Sequence, residues 1–381
     1  DVTLHCRHSF VSPGAMRFPV AARMRYALRE SFGVWMMSGS GEDAARAFRD
    51  FSGGTVPVGW EVTRLPGDAS NRSYFRLSGP GRFMVMKLAA EPFSSEEGPS
   101  GGASRRLPFC DVADYLSRGN VAVPEILVTD LDAGFLVLED LGDVTLERAL
   151  AAGGNRRDLY RWAIDVLVDM QYWAFLNPDP SNVAFKRSFD ADLLMWEFDH
   201  FREWGLVEMC GREPDAADSA LLKAFFQDVT SRLTAMRQGF VHRDYQSRNL
   251  MIKDGRMRVI DFQDALVGPF IYDLVALLRD SYVKFSPSEV DDFLSYYHEV
   301  GRPLMPWIPD IEEIRRLFHL QALQRKLKDA GRFVFIDRVK GNPKFLPNIP
   351  QSLAYVAEAF DHLPEYAQAR AVLKRYLPEH F

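Results

Sequence analysis

The sequence predicts an α+β protein, with a small sheet-rich lobe followed by a larger helical lobe. Three observations predict it. Before Gly142, short runs rich in Val, Phe and Tyr alternate with Gly, Pro and Asn turns. After Gly142, long stretches carry apolar residues at helical spacing. Within that helical half, one polar cluster at 240–264 is flanked by short apolar runs.

Taken in order, residues 1–38 are Arg-rich and acid-poor and read as a disordered extension. The first lobe is expected over 39–141. From Gly41, Glu-Asp-Ala-Ala-Arg-Ala-Phe-Arg-Asp-Phe has helical spacing, and Gly53-Gly54 ends it. Trp60-Glu-Val-Thr-Arg-Leu, Tyr74-Phe-Arg-Leu and Arg82-Phe-Met-Val-Met-Lys-Leu read as strands of an antiparallel meander. Residues 91–106 are rich in Ser, Gly and Glu, as a mobile surface loop is. A helix over Pro108–Ser117 and strands at Val123–Asp130 and Gly134–Leu141 complete the lobe.

The second lobe, 142–381, shows helical patterns at 145–151, 157–175, 190–204 and 216–237. Short strands are expected at Leu250–Ile252 and Met257–Ile260. Ser286-Pro-Ser-Glu opens a further helix with a capping Ser and Pro at its first position, and Gly301 is expected to close it. Helices over 310–330, 350–361 and 364–377 follow.

Bulk properties exclude some functions. A net charge of −6 without a long basic run gives nucleic-acid binding no electrostatic support. No apolar run reaches about 18 residues, so no membrane span is expected. Cys6, Cys110 and Cys210 are dispersed and odd in number, which offers no disulfide framework and fits a reducing, cytoplasmic setting.

The chemistry lies in Phe240-Val-His-Arg-Asp-Tyr-Gln-Ser-Arg-Asn-Leu-Met-Ile and Val259-Ile-Asp-Phe-Gln-Asp. Asp244 stands five residues before Asn249, and Asp261 ends the next apolar run. That spacing suits phosphoryl transfer. One carboxylate orients a hydroxyl, while an amide and a second carboxylate offer hard oxygen ligands to magnesium. Lys87 ends a strand, where it could reach the phosphates of ATP, with Asp111 or Asp114 as its acidic partner. Ser70, Asn71, Arg72 and Ser73 lie in the first hairpin turn and could cradle phosphate, although the stretch is not glycine-rich. Glu139 and Leu141 mark the lobe junction, where backbone groups would hold adenine. Asp273 opens an apolar helix, where an Asp is most simply an N-terminal cap, and is read with His242 as support for the catalytic loop.

The acceptor is constrained too. Only a short segment separates Asp261 from Asp273, which leaves no room for a peptide platform and favours a small polyol. Gln324, Arg325 and Lys328 share neighbouring faces of one helix and could hold a carboxylate or N-acetyl group; a solvated basic face is the competing reading. Trp162, Trp173, Trp196 and Trp204 are read as core rather than as sugar platforms.

Val-His-Arg-Asp-Tyr-Gln-Ser-Arg-Asn-Leu, Val-Ile-Asp-Phe-Gln-Asp-Ala and Gly-Pro-Phe-Ile-Tyr-Asp-Leu resemble the aminoglycoside phosphotransferase superfamily of protein-kinase-like enzymes. Within it, Gly67-Asp-Ala-Ser-Asn-Arg-Ser, Leu277-Leu-Arg-Asp-Ser-Tyr, Gln263 and Leu323-Gln-Arg-Lys-Leu-Lys-Asp-Ala-Gly-Arg-Phe are most similar to the anomeric N-acetylmuramate/N-acetylglucosamine kinases. The resemblance implies a two-lobed protein-kinase-like fold, ATP, Mg2+ and transfer to a sugar hydroxyl, with the product used in peptidoglycan recycling. By position it makes Asp244 the orienting carboxylate, Asn249 and Asp261 magnesium ligands and Lys87 a phosphate ligand. In that subfamily an acid often stands at the place of Lys87. Arg248, Gln263, Arg325 and Lys328 are the candidate substrate contacts. The alternatives are an aminoglycoside- or choline-type phosphotransferase and a non-catalytic nucleotide-binding pseudokinase. The basic residues near Arg325 weigh against the first, and the intact Asp244, Asn249 and Asp261 against the second.

Overall fold

The computed structural model describes residues 40–66, 72–88 and 106–381. The expectations for residues 1–38, for most of the loop at 91–106, and for Ser70 and Asn71 lie outside these. Helix α1 (Gly41–Ser52) opens with a capping box in which Ser40 and Asp43 exchange hydrogen bonds. Strands β1 (Glu61–Arg64), β2 (Ser73–Ser78) and β3 (Arg82–Lys87) form the expected antiparallel meander. Helix α2 (Pro108–Arg118) follows, then β4 (Ile126–Asp130) and β5 (Phe135–Glu139). The sheet order is β1-β2-β3-β5-β4, so β5 closes against β3 and leaves β4 at an edge.

The sheet has two dissimilar faces. Leu77, Phe83, Val85, Phe135 and Val137 pack with Ala44, Ala45, Ala47 and Phe48 of α1 in a small outer core. Met86, Leu136 and Leu138 belong instead to the main core, with α2 and most of the second lobe. The period of two along each strand produces this division.

The second lobe contains α3 (Leu146–Ala151), α4 (Arg156–Leu176) and α5 (Ala191–His200). From α5 the chain continues into a widened π-type stretch, Phe201–Glu208. Helix α6 (Ala216–Ala235) leads to β6 (Gln238–Val241). The hairpin β7 (Leu250–Lys253) and β8 (Arg256–Val259) lies where it was expected. A second small sheet was not expected: β9 (Leu266–Pro269) pairs antiparallel with β6, so the two arms of the catalytic stretch are tied together. Helices α7 (Tyr272–Leu278), α8 (Pro287–Gly301), α9 (Ile311–Lys340), α10 (Ile349–His362) and α11 (Ala367–Tyr376) complete the lobe. The Ser286–Glu289 capping box forms as expected, whereas Gly301 is the last residue of α8 rather than its cap. Gly341, with φ +66, ends α9 well beyond the expected limit. No helix among the described residues is long and apolar enough to cross a membrane.

One buried histidine sets an acid limit on this packing. His319 of α9 is 6% exposed and stacks on His362 with ring centroids 3.8 Å apart. Burial, His362 and Arg279 push it down from 6.5 to about 3. A folded value below the unfolded one contributes stability above pH 6.5 that is lost as pH falls towards 3. Between pH 7 and pH 5, wild type should therefore lose about 1–2 kcal/mol more stability than His319→Phe, read from urea unfolding. Equal losses would refute this account.

Candidate active site

The catalytic stretch runs from β6 through a turn to β7, and two buried carboxylates hold its ends. Asp273 accepts from the backbone N–H of His242 at 2.7 Å and of Arg243 at 3.1 Å. It lies inside α7, whose cap position is Ile271, so the simple helix-cap reading of Asp273 is corrected. Burial pushes its carboxyl up to about 7, against the pull of those two donors and of Arg325. At the other end, Asp280 accepts from the Ser247 N–H at 2.8 Å and from the Ser247 hydroxyl. Asp280 sits within the quoted Leu277–Tyr282 motif, but no role was read for it. The signal was the polar Arg279-Asp-Ser break at the end of an apolar run.

His242 joins the two halves of the site. It is fully buried, and burial lowers it to about 4, so the ring is neutral. Its Nδ1 accepts from the Asp244 N–H at 3.2 Å, which leaves Nε2–H to donate to the Ile260 carbonyl at 2.9 Å. Residues Arg243 and Asp261, either side of this bridge, both adopt left-handed backbone with φ of 77° and 65°. Such geometry in non-glycine residues persists only where surrounding contacts enforce it.

Asp244 receives Arg325 Nη2 at 3.4 Å on Oδ1, while Arg325 Nη1 donates to the Arg243 carbonyl at 2.8 Å. Asn249 donates its amide to the Asp244 carbonyl at 2.8 Å, which turns its Oδ1 the other way. Gln263 donates to Asp261 Oδ1 at 2.9 Å. Asp261 remains open to solvent on one side although protein surrounds it on most others. That burial, with the Asp244 carboxylate second, raises it to about 6, while Gln263 and Arg72 act the other way. Asn249 and Asp261 are hard oxygen donors. Among the described residues no cluster of three His, Cys, Asp or Glu forms a closed metal cage. Magnesium completes its shell with water and phosphate oxygens, so two protein donors fit it.

Several candidate residues have other tasks. Lys87 pairs with Phe135 in register and shares the face of Phe83 and Val85, beneath α1. Met86 holds the position facing α2 and the main core. Lys87 is exposed and makes no ion pair among the described residues. Asp111 accepts from the Val183 N–H and Asp114 pairs with Arg106. The helix acids expected to partner Lys87 are thus engaged elsewhere, and because a strand reverses side with every residue, Lys87 leaves from the face that α1 covers. Ser73 shares the Lys87 face by the same register. Arg72 falls on the opposite side, and its charge reaches Asp261.

The Glu139 carboxylate is a strut, bound to Lys253 at 3.0 Å and to Arg258 at 2.5 Å. Its N–H goes to the Glu125 carbonyl, and Leu141 is buried. Arg248 forms a two-point pair with Glu147 at 2.8 and 3.0 Å and lies over the Tyr282 ring. Gln263 is 5% exposed and holds Asp261 and Asp264. Arg248 and Gln263, expected as substrate contacts, are both engaged in holding the loop. Gln324 and Arg325 are buried and Lys328 is half-buried beside Asp329, so the three do not form a solvated basic face. Trp196, read as core, is 43% exposed and lines a hollow with Lys328.

Residues 61–308 match the phosphotransferase enzyme family. The chain belongs to that family. As a member it transfers a phosphoryl group to a hydroxyl, and the nucleotide is the donor expected of such an enzyme. N-acetylmuramate/N-acetylglucosamine kinases from Pseudomonas putida and Neisseria meningitidis are 34% and 31% identical to it. The first similarity covers 84% of this chain and 89% of the relative, the second 82% and 90%. Among solved structures, a choline/ethanolamine kinase family protein from Mesorhizobium loti superposes with a TM-score of 0.55 at 16% identity, covering 88% of this chain and 99% of that one. An ADP-bound aminoglycoside phosphotransferase gives 0.52 at 15%, covering 83% and 99%. At those identities the likeness concerns the fold, the two-lobed kinase-like arrangement described above.

Two outcomes follow from the site. Lys87→Ala should change the KM for ATP by less than about threefold, whereas a kinase-type phosphate ligand would cost about tenfold or more; steady-state kinetics decide. Asp273→Ala strands two buried N–H donors. It should cost about 3 kcal/mol of stability in urea unfolding and lower kcat as the loop loses its anchor. A change below about 1 kcal/mol would remove Asp273 from that role.

Proposed function

We propose that this protein is an ATP- and Mg2+-dependent kinase of amino sugars, acting on the anomeric hydroxyl of N-acetylmuramate and N-acetylglucosamine in the cytoplasm. The observation that carries the reading is the similarity, along most of the chain, to curated kinases of those two sugars. The site supports it. Segment 261–273 is taken up by β9, which pairs with β6, and by the start of α7. Nothing there can serve as a platform for a peptide.

Asp244 accepts the hydrogen bond of the sugar hydroxyl and takes its proton as the phosphoryl group arrives. An anomeric hydroxyl is more acidic than a simple alcohol, so a carboxylate suffices as base. Arg325 fixes the carboxylate in place, through both Asp244 and the Arg243 carbonyl. Asn249 and Asp261 would hold a magnesium ion, which would supply charge neutralisation at the phosphates. Arg72, on the same side of the sheet as Met86, brings a further positive charge to this end of the cleft. His242 transmits any displacement of Asp244 to Ile260 and so keeps base and metal ligand in register.

Asp244→Ala should lower kcat by about three orders of magnitude or more while nucleotide still binds. Asp261→Ala should abolish the magnesium dependence of ATP binding in a titration with and without the ion. A coupled ATP-consumption screen over amino sugars, aminoglycosides and choline tests the acceptor, and NMR of the product tests the position. A phosphate on C6, or turnover of choline alone, would overturn the reading.

A further inference from the structure

A small, shallow and open hollow lies between α5 and α9, lined by Trp196, Glu197, His200, Lys328 and Arg332. Its construction is unusual. Immediately beyond His200 the helix widens into the π-type stretch, a device that re-aims side chains. There α5 and its extension meet α9 backbone to backbone. A methyl on Gly331 would come within 2.8 Å of Phe201 Cα, and one on Gly205 within 3.0 Å of the Gly331 nitrogen. The Trp196 indole lies flat against His200, with centroids 5.4 Å apart and planes at 19°. It keeps 43% exposure where burial was expected.

The charges in this hollow are unequal. Glu197 is 2% exposed and already faces Arg243 at 3.8 Å and accepts from Gln324. Lys328 lies 3.5 Å from Asp329. Arg332 rests against the Phe335 ring and forms no ion pair among the described residues. Residues 325, 328 and 332 lie along one stripe of α9. At 1.5 Å per residue, Lys328 and Arg332 stand about 4.5 and 10 Å along the axis from Arg325. Arg325 touches Asp244. A pyranose with a short side arm spans that interval.

We propose that this hollow is the acceptor subsite, in which Trp196 stacks on the pyranose face and Arg332, seconded by Lys328, pairs with a carboxylate carried on the sugar's side arm. This rests on the amino-sugar reading above. It explains how one site takes a sugar acid and its neutral counterpart: ring and anomeric hydroxyl bind alike, and only the acid engages Arg332. A guanidinium suits the task because its planar fork matches a carboxylate.

The test is the ratio of kcat/KM for N-acetylmuramate to that for N-acetylglucosamine, which cancels any general loss of active enzyme. Arg332→Gln should lower this ratio about 10- to 100-fold. Arg332→Lys, which keeps the charge but not the fork, should restore it in part. Trp196→Ala should lower kcat/KM for both sugars and leave the ratio in place. A ratio unmoved by Arg332→Gln overturns the subsite while leaving the sugar kinase intact. A wild-type enzyme that phosphorylates neither sugar overturns both.

Discussion

The two hydrogen bonds that Asp273 accepts from the backbone of His242 and Arg243 are the contacts on which the rest of the site depends. They hold Arg243 at a φ of 77°, a conformation costing an ordinary residue about 1–2 kcal/mol. The reversal sends the Arg243 side chain towards Glu197 and Phe189 on the α5 side. Its neighbour Asp244 is left beside Arg325. Without the buried acceptor, two N–H groups would lie unpaired in a dry core and the turn would relax to commoner geometry. Asp280 does for Ser247 what Asp273 does for the loop's entrance, so the stretch is pinned at both ends by carboxylates that never meet substrate.

Between the pins, His242 imposes a single geometry on two chemically distinct parts. Neutral imidazole offers one acceptor and one donor on opposite sides of a flat, rigid ring. Here the acceptor holds Asp244 and the donor holds Ile260, next to Asp261. Protonation would place two donors where one acceptor is required, which is consistent with the depressed value of this histidine.

Much of this was legible in the sequence, and the failures are instructive. The spacing of Asp244, Asn249 and Asp261 is a local property of one turn and one hairpin, so it is read directly. The alternation of strands and the capping box at Ser286 are local in the same sense. The side of the sheet on which Lys87 lies was not legible, because it depends on registry with β5 and on which face α1 covers, neither of which lies within the strand. The pairing of β6 with β9 joins segments too short for a clear pattern. Arg248 and Gln263 look like binding residues in one dimension, but their partners, Glu147 and Asp261, are set by the fold. Trp196 has core spacing on α5. It is exposed because no neighbouring element covers that part of α5, and the coverage of a face carries no periodic signal.

The long helix α9 shows why substrate choice is harder to read than chemistry. Its basic residues all look alike along the chain, yet each turn presents them to a different environment. Arg325 is consumed by the catalytic loop and Lys326 by Asp329 on the buried side. Arg332, seven residues beyond Arg325, meets the hollow. The separation of roles is enforced by backbone contact at Gly331, where α9 approaches Phe201 too closely for any side chain. A crossing fixed by backbone does not shift when a lining side chain changes. In the subsite proposed above, Arg332 can thus be replaced without moving the crossing or the contacts that Arg325 makes to the catalytic loop.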